Sequence, residues 1–243
     1  MPGDTVLYTK KEHIAFITLN RPEQGNTINQ QLAQQMEEIC SRVNQDDDIY
    51  VVVITGAGDK VFCGGSEVNS NVAAAVAGID RPVVAAINGD ALGEGLELAL
   101  SCDIRLASDR ARFGLPQVAS GTIPMSGGTQ RLPRLIGKGK ALELIFTAET
   151  IDAERALEIG LVSKVVPQKE LAVEVETLAQ NLVSKAPISL RFVKEAVNKG
   201  MDLTLEQGLR LEADLYLLLH TTGDRTEGIK AFLEKRPPEF KGK

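Results

Sequence analysis

Residues 81–108 read RPVVAAINGDALGEGLELALSCDIRLAS, and the architecture follows from this stretch. Pro82–Asn88 (PVVAAIN) is a continuous apolar run, the pattern of a strand buried on both faces of a sheet. Gly89 breaks it at once, and a helix-like segment follows from Gly93. Asp103–Ala107 then predicts a further short strand. Upstream, Tyr50–Thr55 (YVVVIT) is a second fully apolar run, ended by Gly56-Ala57-Gly58. His13–Leu19 is rich in β-branched residues and stops at the turn signal Asn20-Arg21-Pro22. Between these two strands Ile28, Leu32, Met36, Ile39 and Val43 recur at spacings of 4, 4, 3 and 4, one face of a helix. Strand and helix alternate, which places the chain in the α/β class and puts the expected site on loops at strand ends.

From Thr129 onward the pattern is largely helical. Asp152 predicts an N-cap, and Gly160 stands where a C′ glycine closes that helix. Leu171, Val175, Leu178 and Leu182 form another stripe. Ala186-Pro187 is the candidate boundary, because proline suits the first turn of a new helix, and it divides a core of 1–185 from a helical domain of 186–243. Thr204 to Gln207 fits a capping box opening the leucine-rich stretch to His220. Asp224 and Glu227 repeat that signature before a last helix expected over Gly228–Lys235. So much apolar surface in the last third requires packing on the chain's own core or on a neighbouring subunit.

With 243 residues, 43% of them hydrophobic, the chain can bury one good core. A net charge of -6 argues against a nucleic-acid surface, which needs a basic footprint. Three cysteines, Cys40, Cys63 and Cys102, fit no paired framework and point to a reducing compartment. The opening residues MPGDTVLYTKKEHIAF carry no secretory or mitochondrial pattern, and no run approaches a membrane span. The expectation is a cytoplasmic protein with no membrane partner.

Familiar motifs fail. Gly93-Glu94-Gly95 begins like a dinucleotide fingerprint, but Leu98 stands where the third glycine belongs. Pro124 breaks a Gly-x-Ser-x-Gly elbow around Ser126, and His13 and His220 cannot supply a histidine metal site. What remains are two glycine-bearing turns after buried strands, Phe62-Cys63-Gly64-Gly65-Ser66-Glu67 and Asn88 to Glu97. Such turns let backbone N–H groups converge on one ligand atom, and two of them aimed at a thioester oxygen make an oxyanion hole.

FCGGSEV at 62–68, the stretch 81–108, and ARFGLPQVASGTIPMSGGTQRLPRLIGKGKALELIFTAETIDAERALEIGLVSKVV at 111–166 together resemble the enoyl-CoA hydratase/isomerase (crotonase) family. NRPEQGNTIN near the start and EGIKAFLEKR near the end match as well, so the likeness is collinear over nearly the whole chain. The resemblance implies a crotonase-like spiral of β-β-α turns with a helical C-terminal trimerisation domain, assembled as a homotrimer or a dimer of trimers. It implies an acyl-CoA substrate with no cofactor beyond the coenzyme A of the thioester, and no metal. The family's oxyanion donors fall on the backbone N–H groups of Ser66 and Glu94, and its first catalytic glutamate falls on Glu97. Its second falls on Gln117. The resemblance also implies that Ser66, Glu67 and Val68 border the CoA thioester, and Phe232 and Lys235 match an aromatic and a lysine that in the family touch CoA bound by a neighbouring subunit.

Three departures stand out. Gln117 orients a water or a carbonyl but neither gives nor takes a proton at neutral pH. Glu94 replaces the usual glycine and adds a carboxylate three residues before Glu97, a candidate for the missing acid. The segment Val68–Asp80 is shorter than the family's cover over the acyl pocket. The leading expectation is an enoyl-CoA hydratase, a hydro-lyase using Glu97 as base. Alternatives are decarboxylation, isomerisation or C–C cleavage of an acyl-CoA, or a non-catalytic CoA-thioester-binding subunit.

Overall fold

The continuous apolar runs form the centre of a six-stranded sheet. In the computed structural model, which describes residues 4–243, its strands are β1 (Val6–Lys11), β2 (Ile14–Leu19), β3 (Val51–Gly56), β5 (Val83–Ile87), β7 (Ile104–Ser108) and β10 (Lys164–Val166). They lie side by side in that order, with β1 antiparallel to β2 and every later pair parallel. Burial of both faces explains the unbroken apolar sequence. Val52, Ile54, Val83, Ala85 and Ile87 point to one core, while Val51, Val53, Val84 and Ala86 point to the other. The first core is closed by α1 (Gln30–Gln45), whose predicted stripe Leu32, Met36, Ile39 and Val43 is buried. The second is closed by α7 (Leu171–Val183) through Leu171, Val175 and Ala179.

A second sheet of four three-residue strands has the order β4 (Val61–Cys63), β6 (Asp90–Leu92), β8 (Arg112–Gly114) and β9 (Thr150–Asp152). Each turn of the chain gives one strand to the large sheet, one to the small sheet and, in the first two turns, then a helix: β3, β4, α2 (Val72–Ala77), then β5, β6, α3 (Glu94–Ser101). This is the expected β-β-α spiral. Its corners are tight. A Cβ on Gly89 would lie 2.1 Å from the carbonyl oxygen of Lys60, so only glycine fits between β5 and β6. Buried Asn88 fastens the same corner, accepting from the Gly56 N–H and donating to the Gly58 oxygen, both at 3.0 Å.

The rest of the chain is α4 (Gly128–Ile136), α5 (Lys138–Thr147), α6 (Ala153–Glu158), α8 (Pro187–Gly200), α9 (Leu205–Leu219) and α10 (Gly223–Glu234). Asp152 caps α6 through the Arg155 N–H, Pro187 opens α8, and Thr204 with Gln207 forms the predicted capping box of α9. The last helix differs from expectation. It begins five residues earlier, capped by Thr222, because the buried Asp224 carboxylate is occupied by the N–H groups of Lys241 and Gly242. Lys194 on α8 reaches Asp103 at 2.7 Å and ties the helical segment to the core. No described helix is long and apolar enough to cross a membrane.

Candidate active site

The site gathers where β4 and β6 run into their following loops. Gly93 lies at φ 54° and ψ −126°, a backbone state closed to side-chain-bearing residues, and this turn launches α3 with Glu94 as its first residue. Glu97 follows one helical turn on and is only 2% exposed. Its Oε1 accepts from the backbone N–H groups of Ser126 and Gly128, both at 2.7 Å. Gly128 begins α4, so the carboxylate sits on the positive end of that helix. The loop is held from its other side, where Arg131 donates to the Ser126 carbonyl at 2.8 Å.

Among the described residues Oε2 of Glu97 is left with a single partner, the Nε2 of Gln117 at 3.3 Å. Burial pushes the Glu97 carboxyl above the usual carboxylate range. The Gly128 and Ser126 N–H groups oppose that, the nearby Glu94 charge reinforces it, and Arg131 opposes it. Gln117 stands on a short 3-10 turn, Pro116–Ser120. Its Oε1 is buried and has no hydrogen-bond partner among the described residues, an acceptor held ready for a donor.

The first glycine turn comes alongside the second. A Cβ placed on Gly93 would be 3.9 Å from the Cα of Gly65 and 3.8 Å from Gln117 Nε2. Among the described residues the N–H groups of Ser66 and Glu94 donate to no acceptor. Ser66 Oγ instead donates to the Val68 carbonyl at 2.6 Å, fixing the turn. Glu67 is drawn away to Arg21 and Thr27, each at 2.8 Å, and the Arg21 guanidinium holds its carboxyl below the usual range. The Glu94 carboxylate takes the hydroxyl of Ser70. Cys63 is fully buried, and burial pushes its thiol up to about 12, which removes it as a nucleophile. Phe232 stands out from α10, 82% exposed, and Lys235 closes that helix.

Beside Ser126 a cleft of about 1000 Å³ opens between α2, the end of α3, α4 and α8, with Ala74, Ala77, Leu100, Leu190 and Val197 on its walls. Sequence reasoning identified Glu97 and Gln117 but not the groups that hold Glu97. The available signal was Gly127-Gly128 at a helix start, where N–H groups stand free.

Two loops that present free N–H groups beside a buried carboxylate, on a β-β-α spiral, define the crotonase class. The sequence profile of the Enoyl-CoA hydratase/isomerase family matches residues 9–243, and the chain belongs to that family. It is 38% identical to the crotonyl-CoA hydratase of Syntrophomonas wolfei, over 99% of both chains. It is 42% identical to the (E)-benzylidenesuccinyl-CoA hydratase of Thauera aromatica, over 95% of this chain and 96% of that one. Among solved structures, an enoyl-CoA hydratase from Bacillus anthracis superposes with a TM-score of 0.95 at 39% identity, covering 98% of this chain and 100% of that one. The Syntrophomonas alignment runs over 257 positions against 243 residues here, so that relative carries residues with no counterpart in this chain.

Proposed function

We propose that the protein adds water across the α,β double bond of an enoyl-CoA thioester. One observation carries the reading: a buried carboxylate with one oxygen fixed and the other turned to Gln117, beside two backbone N–H groups that are unpaired among the described residues. The thioester oxygen takes the Ser66 and Glu94 N–H groups, which stabilise the enolate as charge moves onto it. Water lies between Glu97 Oε2 and Gln117 Oε1, one of its hydrogens to each. Glu97 removes the first proton while the water oxygen bonds to C3, and the same carboxyl then returns that proton to C2. Gln117 keeps the second hydrogen in place and the lone pair aimed at C3, but moves no proton.

Fixing Oε1 with two N–H groups leaves Oε2 as the working atom, and burial raises its basicity. The acyl group extends toward the cleft beside Ser126, one wall of which is formed by α2 of the short Val68–Asp80 segment. The exposed apolar residues of the helical segment 186–243, Phe232 among them, are read as the surface that meets neighbouring copies in a trimer or a dimer of trimers. Coenzyme A enters as part of the substrate.

Incubation with a panel of enoyl- and malonyl-type CoA thioesters, followed by mass, tests this. The expected product gains one water, and Glu97→Gln lowers its rate of formation about 10²–10⁴-fold. Tight thioester binding with no product from any member would overturn the reading in favour of a binding subunit. Loss of carbon dioxide instead would move it to decarboxylation.

A further inference from the structure

We propose that Glu94 is a positioning residue, whose carboxylate ties the shortened segment after the first oxyanion loop to the second loop through Ser70. The proposal rests on the reading of Ser66 and Glu94 as the oxyanion donors. The two loops meet glycine against glycine: a Cβ on Gly93 would touch the Cα of Gly65 at 3.9 Å. Neither residue has a side chain to interlock, so across this contact the spacing of the two donor N–H groups depends on backbone alone. The Ser70 hydroxyl and the Glu94 carboxylate, both half-buried, bond across this gap.

The link is short in chain terms. Ser66 Oγ holds Val68 through its N–H at 3.2 Å and its carbonyl at 2.6 Å, and Ser70 follows two residues later. A hydrogen bond at Ser70 therefore ties one donor-bearing turn to the side chain of the other donor residue. It stands where the segment before α2 is short and lends little packing of its own; α2 is six residues long and its N-cap Asn71 makes no side-chain cap. The Glu94 carboxylate makes no hydrogen bond to Glu97 or Gln117 among the described residues, so its geometry fits a tie better than a proton donor.

A slack tie lets the two N–H groups drift apart, and small misplacements of oxyanion donors act on the transition state more than on substrate binding. The test uses four full-length variants, Ser70→Ala, Glu94→Ala, the double variant and Glu94→Gln, with kcat and KM on the best thioester of the panel. Ser70→Ala and Glu94→Ala each lower kcat about ten- to a hundredfold with KM little changed. The double variant falls no further than the worse single. Glu94→Gln, which still offers Ser70 a carbonyl oxygen, recovers most of the kcat that Glu94→Ala loses. A Glu94→Gln variant as poor as Glu94→Ala, with Ser70→Ala harmless, makes Glu94 an acid and overturns the tie. Four variants with unaltered kcat overturn it as well.

Amide hydrogen exchange on the same proteins decides the matter without turnover. Ser70→Ala and Glu94→Ala speed exchange in peptides covering 64–71 and 92–97, and Glu94→Gln does so less. Unchanged exchange in all variants overturns the tie. A wild-type protein inert toward every thioester, but with this exchange pattern, would sink the hydratase reading and leave the tie standing.

Discussion

Replacing Gln117 by glutamate tests the assignment of Glu97 as the sole proton-transfer group. Gln117 Nε2 lies 3.3 Å from Glu97 Oε2, so the variant puts a second carboxylate oxygen at about that distance. Two full charges at this separation repel by about 5 kcal/mol at an effective dielectric constant of about 20, typical for groups in a protein. That is too much for both to ionise near neutral pH, so the pair holds one proton between them. One carboxylate then serves as base and the other as acid, where the mechanism proposed for the wild-type protein gives Glu97 both tasks. A positioned acid typically contributes about 10²–10⁴-fold, and a gain in kcat toward the lower end of that range is expected. Stopped assays of crotonyl-CoA hydration from pH 5 to 10 read both effects. Wild type loses rate only on the acid side, as Glu97 protonates. Gln117→Glu gains a second limb on the basic side, where the shared proton leaves. A variant no faster than wild type, with one acid limb unmoved, would mean that Gln117 does not face the reacting atoms.

Glu97→Gln should lower kcat about 10²–10⁴-fold and raise the melting temperature. The wild-type carboxyl lies above its unfolded value in the fold, so the folded state holds the proton more tightly, and stability falls as pH rises through the Glu97 pKa. Melting curves of the two proteins should therefore agree at low pH and separate as pH rises; parallel curves would contradict the burial argument. Gly128→Ala places a Cβ 2.8 Å from Pro124 Cβ and 3.1 Å from Glu97 Oε1. It should cost about 1–3 kcal/mol in denaturant melts and depress kcat more than KM, because the helix terminus that holds Glu97 must shift. Asp224→Ala removes the buried carboxylate that accepts the Lys241 and Gly242 N–H groups of the C-terminal tail, and losing hydrogen bonds to a charged group should cost about 1.5–3 kcal/mol. Limited proteolysis near Lys241 should accelerate with it.

Local patterns were enough for much of the fold. The apolar runs at Tyr50–Thr55 and Pro82–Asn88, the stripe of α1, the Asp152 cap and the Thr204 capping box all stand in the structure as the residues imply. These signals depend on neighbours within one strand or two helical turns, so the chain carries them in order. The last helix is the instructive exception: Asp224 has the chemistry of a cap, but a tail 17 residues further on claims its carboxylate.

Of the site, the amino-acid sequence by itself determined the acid at 97, the glutamine at 117 and the glycines that free the loop N–H groups. The tertiary structure alone decided what each of them meets. The small sheet could not be read because its strands are three residues long, too short to show a period of two. Glu97 is held by N–H groups 29 and 31 residues away, and Glu94 by a hydroxyl 24 residues before it. The orphaned oxygen of Gln117 exists only because folding encloses it. Such pairings are set by which loops the spiral brings together, and no spacing along the chain encodes them. The carboxylates are a property of the sequence; their different partners come from what the fold packs against them.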